Sequence, residues 1–143
     1  MSELTFAMIK PDVVRAKNTG KVIDLIEQNG FNILRMQKGQ LSAEMAEEFY
    51  GVHKERPFFG ELVEFVTSGP VVVMALEKAN AVKEWRDLMG ATDPIQAAPG
   101  TIRKLFGTNI GSNAAHGSDS AETANIELSL FFGPPLSEVE ETK

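Results

Sequence analysis

Three features of the sequence predict an α+β fold in which helices pack on a mainly antiparallel sheet, in a split βαβ arrangement. Short apolar runs of strand length alternate with stretches whose apolar residues recur at helical spacing. One run, residues 71–76, is apolar at every position, as suits a strand covered on both faces at the centre of a sheet. The chain has 143 residues, 43% hydrophobic and 24% charged, which suffices for one core and excludes a disordered or fibrous chain.

Residues 4–9 read as a buried strand that stops at Pro11, which cannot donate to a ladder. Asn18-Thr19 opens a helix with Val22, Ile23 and Ile26 on its apolar face, closing at Gly30. Residues 31–41 form a second strand. Ser42 caps a helix carrying Met45, Ala46, Phe49 and Tyr50, and a short helix with Leu62, Phe65 and Val66 follows. Ser68-Gly69-Pro70 breaks that helix, and the third strand covers residues 70–76. A helix over residues 80–89 ends at Gly90. Residues 91–113 are rich in Gly, Pro, Thr and Asn, with one helical turn over 101–106; loops this long are usually functional. Residues 113–116 read as a short strand. Asp119-Ser120-Ala121-Glu122 starts a helix with Ala121, Ala124, Leu128 and Phe131 on one face, ended by Gly133-Pro134-Pro135. One domain is expected over residues 1–133, with a short acidic tail over 134–143 and no internal repeat.

Lys and Arg number 14 against 20 acidic residues, a net charge of −6. That balance argues against non-specific binding to nucleic acid or anionic lipid but leaves room for a local cationic pocket. With no cysteine there is no disulfide framework, thiolate nucleophile or cysteine metal site, and two histidines do not support a His-rich metal site. No apolar run is long enough to span a bilayer and no signal-like segment follows Met1, so a soluble, cytoplasmic protein is expected.

No glycine-rich phosphate loop, dinucleotide fingerprint or nucleophile elbow is present, so phosphate would have to be held by side chains. The stretch from Asn113 to Ser120 is the most informative, because His116 sits between a short strand and a helix start among small residues. It reads as a capping cluster with an incidental histidine, or as a reactive ring. A Ser-His-Asp triad fits poorly, since Ser118, Asp119 and Ser120 are crowded beside the histidine rather than brought from separate elements. Lys10, Arg86 and Arg103 lie at element ends or in the long loop; each alone reads as a solvated charge, together as a phosphate clamp.

Six motifs then follow one another in order: Phe6-Ala7-Met8-Ile9-Lys10-Pro11-Asp12, His53-Lys54-Glu55-Arg56-Pro57-Phe58-Phe59, Ser68-Gly69-Pro70-Val71-Val72, Gly90-Ala91-Thr92-Asp93-Pro94, Pro99-Gly100-Thr101-Ile102-Arg103 and His116-Gly117-Ser118-Asp119-Ser120. Together, over residues 4–132, they closely resemble the nucleoside diphosphate kinase family. The resemblance implies a ferredoxin-like βαββαβ sandwich with a long functional loop before the catalytic strand. It also implies ping-pong transfer of a terminal phosphate, mainly from ATP, to a nucleoside diphosphate through a phosphohistidine at His116.

By the same resemblance Lys10, Arg86, Thr92, Arg103 and Asn113 match nucleotide-binding positions, with Lys10 also near the transferred phosphate. Tyr50 matches a tyrosine close to the catalytic ring, and Ser118 and Glu127 match residues that orient it. Phe58 and Ile110 match a clamp on the two faces of the base, which is tolerant of base identity. Mg²⁺ is implied as a companion of the nucleotide phosphates, with no direct protein ligand and Asp119 reaching it through water. The partners implied are nucleoside di- and triphosphates and further copies of the chain, as a tetramer first and a hexamer or dimer next. Pro94 matches a position where the loop packs against a neighbouring subunit. His53 is unassigned, and Trp85 reads as packing. Two rival classes stand beside the enzyme: a nucleotide-binding regulator without the chemistry, and an interaction protein.

Overall fold

The structure, a computed structural model, describes residues 2–51, 55, 57, 59–110 and 112–133. Four strands make one antiparallel sheet in the order β2-β3-β1-β4: β1 (Ser2–Ile9), β2 (Asn32–Gly39), β3 (Val71–Ala79) and β4 (Ala115–Gly117). Between them run α1 (Pro11–Arg15), α2 (Thr19–Gln28), α3 (Ala43–Phe49), α4 (Phe59–Val66), α5 (Ala81–Met89) and α6 (Ile102–Phe106), and α7 (Ala121–Phe132) closes the described chain.

The unbroken apolar run of β3 is explained by its place, because it pairs with β1 on one side and β2 on the other and both its faces are covered. Side chains alternate across a strand. Val72, Met74 and Leu76 therefore join Ala7 and Ile9 in one core with Val22, Ile26, Trp85 and Ile102. Val71, Val73 and Ala75 join Phe6 and Met8 in a second core with Ala46, Phe49, Val66 and Leu128. The sheet is thus sandwiched, with α2 and α5 over one face and α3, α4 and α7 over the other.

Ser42 and Ser120 cap their helices as the sequence suggests, accepting from the Met45 and Thr123 N–H groups. Asn18 makes no such bond. Two local readings are corrected. Pro11 does not merely stop β1: it opens α1 at a position where its fixed φ favours the helix and its missing N–H costs nothing. The fourth strand runs over Ala115–Gly117 rather than residues 113–116, because Ala114 has a positive φ of 76° and turns the chain before pairing begins.

The long loop is packed rather than loose. Pro94 is buried within its own chain, and its Cγ lies 2.7 Å from where a Cβ on Gly107 would sit. Pro94→Ser frees the unfolded chain and loses this packing, so we expect a loss of about 1–2 kcal/mol in stability, with the expected phosphate transfer of the folded protein largely kept. Unchanged melting with abolished turnover would place Pro94 in catalysis instead.

Candidate active site

β4 is only three residues long, yet it carries the central side chain. His116 stands opposite Met8 in the β1–β4 register, so its ring faces the core side that holds Phe6 and Met8, under α3 and α7. There it meets Phe49 nearly edge-on at 4.7 Å, with Phe6 at 6.0 Å and Tyr50 at 6.4 Å between ring centroids. On the other side of the strand the Trp85 indole N–H donates to the His116 carbonyl at 3.1 Å. Trp85 is wholly buried, so it packs as the sequence suggests and also fixes the strand that carries the ring.

From α7, Glu127 reaches back toward the start of its helix, as helical side chains do. Both its carboxylate oxygens lie 3.2 Å from His116 Nε2, and Ser118 Oγ donates to one of them at 2.7 Å. The carboxylate is buried but doubly satisfied, which is the condition for keeping a charge there. An ionised carboxylate only accepts, so the ring proton belongs on Nε2 and the lone pair on Nδ1. The Tyr50 hydroxyl is pushed well above the usual tyrosine range by burial and by the charge of Glu127, and stays a neutral phenol.

A second group of side chains gathers around the end of β1. Lys10 is buried, and its Nζ donates to Asn113 Oδ1 at 2.8 Å, while Asn113 Nδ2 donates to the Thr92 carbonyl at 3.0 Å. Arg103, brought by α6, donates to the carbonyls of Gly90 and Ala115 at 2.9 and 3.0 Å, tying the long loop to β4. Its Nε is buried and has no partner among the described residues. Burial and the Arg103 charge lower the Lys10 ammonium from its ordinary 10.5 to about 8, against the opposing pull of Asp12. Arg86 is exposed on α5 and donates to the Asp119 carbonyl at 2.8 Å, which places the exposed Asp119 at the head of α7.

The structure therefore brings Lys10, Thr92, Arg103 and Asn113 together, sets Tyr50, Ser118 and Glu127 around His116, and joins Arg86 to Asp119. Ile110 is exposed on the long loop, 60% accessible. Phe58 and His53 lie outside the described residues. Phe49, the ring nearest His116 among the described residues, is not marked out by the sequence as a site residue. It sits on the apolar face of α3, and spacing cannot separate a core aromatic from one that also walls a site. Among the described residues no three His, Cys, Asp or Glu side chains gather as a metal cage, and no helix is long and apolar enough to cross a membrane.

The family model described as nucleoside diphosphate kinase matches residues 3–136. The chain is 57% identical over 132 residues to a nucleoside diphosphate kinase of Phenylobacterium zucineum, covering 92% of this chain and 95% of that one. It is 58% identical over 130 residues to that of Bradyrhizobium diazoefficiens, covering 91% and 93%. The crystal structure of the Aquifex aeolicus nucleoside diphosphate kinase superposes with a TM-score of 0.91 at 45% identity, over 92% of this chain and 96% of that one. A halophilic nucleoside diphosphate kinase from Halobacterium salinarum in complex with CDP gives 0.90 at 41% identity, over 94% and 90%.

Proposed function

We propose, because the chain belongs to the nucleoside diphosphate kinase family, that it moves the terminal phosphate of a nucleoside triphosphate, mainly ATP, to a nucleoside diphosphate and so maintains triphosphate pools. The observation that carries this reading is His116, its Nε2 held by a buried Glu127 carboxylate that Ser118 fixes in turn. The Nδ1 lone pair attacks the γ-phosphorus, the bond to the bridging oxygen breaks, and the diphosphate leaves with the electron pair. The ring then bears the phosphoryl group and a positive charge, which Glu127 offsets at Nε2. A second diphosphate attacks the phosphorus and returns the ring to its starting state.

Lys10, Arg86, Thr92 and Arg103 support the phosphates in this scheme, with Lys10 and Asn113 on the sugar 3′-hydroxyl and Tyr50 beside the ring. Phe58 and Ile110 hold the base by its faces, so acceptors with different bases should all be used. Mg²⁺ would arrive with the nucleotide and would supply positive charge to its phosphates, with Asp119 the residue that would reach it through water. The residues fit an ion that arrives on the phosphates, since no described acidic cage competes for it and exposed Asp119 is free to meet its water shell. The cysteine-free chain suits the cytoplasm. Strand β2 is a sheet edge with Leu34 and Met36 exposed, which supports pairing of two copies there; the family likeness suggests a tetramer before a hexamer, and sedimentation decides between these.

The test is to mix the protein with γ-phosphate-labelled ATP alone and then to add GDP or CDP. Label should appear on the protein first and move to the acceptor afterwards. Transfer that needs both nucleotides present at once, with no labelled protein, would rule the reading out.

Lys10 adds a pH signature. Its proton is lost near pH 8 in the free protein, so kcat/KM for nucleotide should fall as pH rises through about 8. The limb in kcat should lie higher, because bound phosphate favours the charged amine. The effect on stability has the opposite sign. Between about 8 and the ordinary 10.5 the unfolded chain binds more protons at Lys10, so this residue's contribution to folding rises over that window. A flat kcat/KM profile across it would show that Lys10 does not meet the phosphates.

A further inference from the structure

Between Asn113 and His116 the backbone is strained. Ala114 has φ 76°, and the Ala115 N–H reaches back to the Asn113 carbonyl at 2.9 Å. Together these describe a γ-turn of positive φ, which is rare and unfavourable for a residue with a Cβ. Ala114 is wholly buried, so water does not hold it there. Two groups at the start of α1 do. The Lys10 N–H donates to the Ala114 carbonyl at 2.8 Å, and Asp12 Oδ2 accepts the Ala114 N–H at 3.1 Å. The other oxygen of Asp12, Oδ1, is buried without a partner among the described residues. Burial accordingly raises the Asp12 pKa above its ordinary value. The Val13 and Asp12 N–H groups at the start of α1 also favour the charged carboxylate, so one side chain serves the helix start and, across the fold, the Ala114 turn.

We infer that Asp12 is a positioning residue for phosphate transfer, clamping the Ala114 turn that aims Asn113 on one side and His116 on the other. Its charge also faces the Lys10 ammonium, which Arg103 opposes from α6, while Asn113 supplies the Nζ acceptor. This rests on the phosphohistidine reading above, and two kinds of measurement keep the two apart.

Asp12→Asn keeps an oxygen for the Ala114 N–H without the charge, whereas Asp12→Ala removes both. In single-turnover labelling with γ-phosphate-labelled ATP at saturation and near-neutral pH, Asp12→Ala should slow phosphorylation on the order of 10- to 100-fold, with a much smaller change in KM. Asp12→Asn should slow it less. Both should move the alkaline limb of kcat/KM down from about 8, since Lys10 loses its favourable charge. Hydrogen exchange at the Ala114 amide reads the clamp without chemistry: protected in the parent and in Asp12→Asn, at least about tenfold faster in Asp12→Ala. Lower melting in both variants, with the limb and the labelling rate unmoved, would reduce Asp12 to a structural residue and overturn the proposal. So would an Ala114 amide still protected in Asp12→Ala. If the parent itself takes no label, the phosphohistidine reading fails, and amide exchange still decides the clamp.

Discussion

Replacing His116 by alanine is expected to end self-labelling and phosphate transfer together, by more than about 10³-fold in transfer, while nucleotide still binds. The expectation follows from what remains at the site. Lys10 stays held by Asn113, and Arg103 stays tied to Gly90 and Ala115, because none of these bonds passes through the imidazole. Glu127 keeps the Ser118 hydroxyl, so its buried charge is not orphaned and the variant should fold. The label carried by the parent should survive base and be lost in acid, as a P–N bond requires. A phosphate on Ser118 or Ser120 would survive acid, and an acyl phosphate on Asp119 or Glu127 would not survive base. Parallel initial-rate lines should accompany the labelling, since the first product leaves before the acceptor binds. Substantial transfer by His116→Ala, or an acid-stable label, would show that the phosphate travels another way.

How far the sequence reveals this site depends on the range of the interactions that build it. The central strand was legible in residues 71–76 because double-sided burial leaves a purely local trace, six apolar residues in a row. The helix start at Ser42 was legible for the same reason, since the cap and the N–H it satisfies are three residues apart. Helix α1 was missed, since Pro11 is equally consistent with ending a strand and with opening a helix. The limits of β4 were missed because nothing local announces a positive φ at an alanine. His116, Lys10, Arg103, Asn113, Ser118 and Glu127 were named through motif order. Composition and periodicity alone left the histidine as one of two open readings, since its meaning depends on Glu127, eleven residues on, and on rings from β1 and α3. Asp12 shows the limit most plainly, being joined to Ala114 across 102 positions of chain. Its motif neighbour Lys10 drew attention through its charge, whereas an acid on the first turn of a helix reads as ordinary.

The contact behind β4 gives the second large effect. A Cβ added at Gly117 would lie 2.5 Å from Met89 Cε and from Trp85 Cδ1, and 2.6 Å from Trp85 Nε1. Met89 can yield by rotating its flexible end, but Trp85 is wholly buried and its Nε1–H is committed to the His116 carbonyl. Gly117→Ala therefore forces α5 and β4 apart at the Trp85–His116 hydrogen bond, which together with the Arg103–Ala115 bond positions the strand that carries His116. Overpacking of this kind costs about 1–3 kcal/mol. A misplacement of the ring by about 1 Å can cost on the order of 10²-fold in rate, so activity should fall further than stability. Gly20→Ala serves as the contrast, because a Cβ there meets nothing within 4 Å inside α2, where alanine is the better helix former. We expect that variant to melt at or above the parent temperature with full turnover. Phosphohistidine formation in Gly117→Ala should be slowed at saturating ATP, with KM changed much less, because Lys10, proposed above to meet the phosphates, is held by Asn113 and not by α5. Wild-type labelling by Gly117→Ala would mean that α5 can recede without disturbing His116, and that the indole bond is not what holds the ring in line.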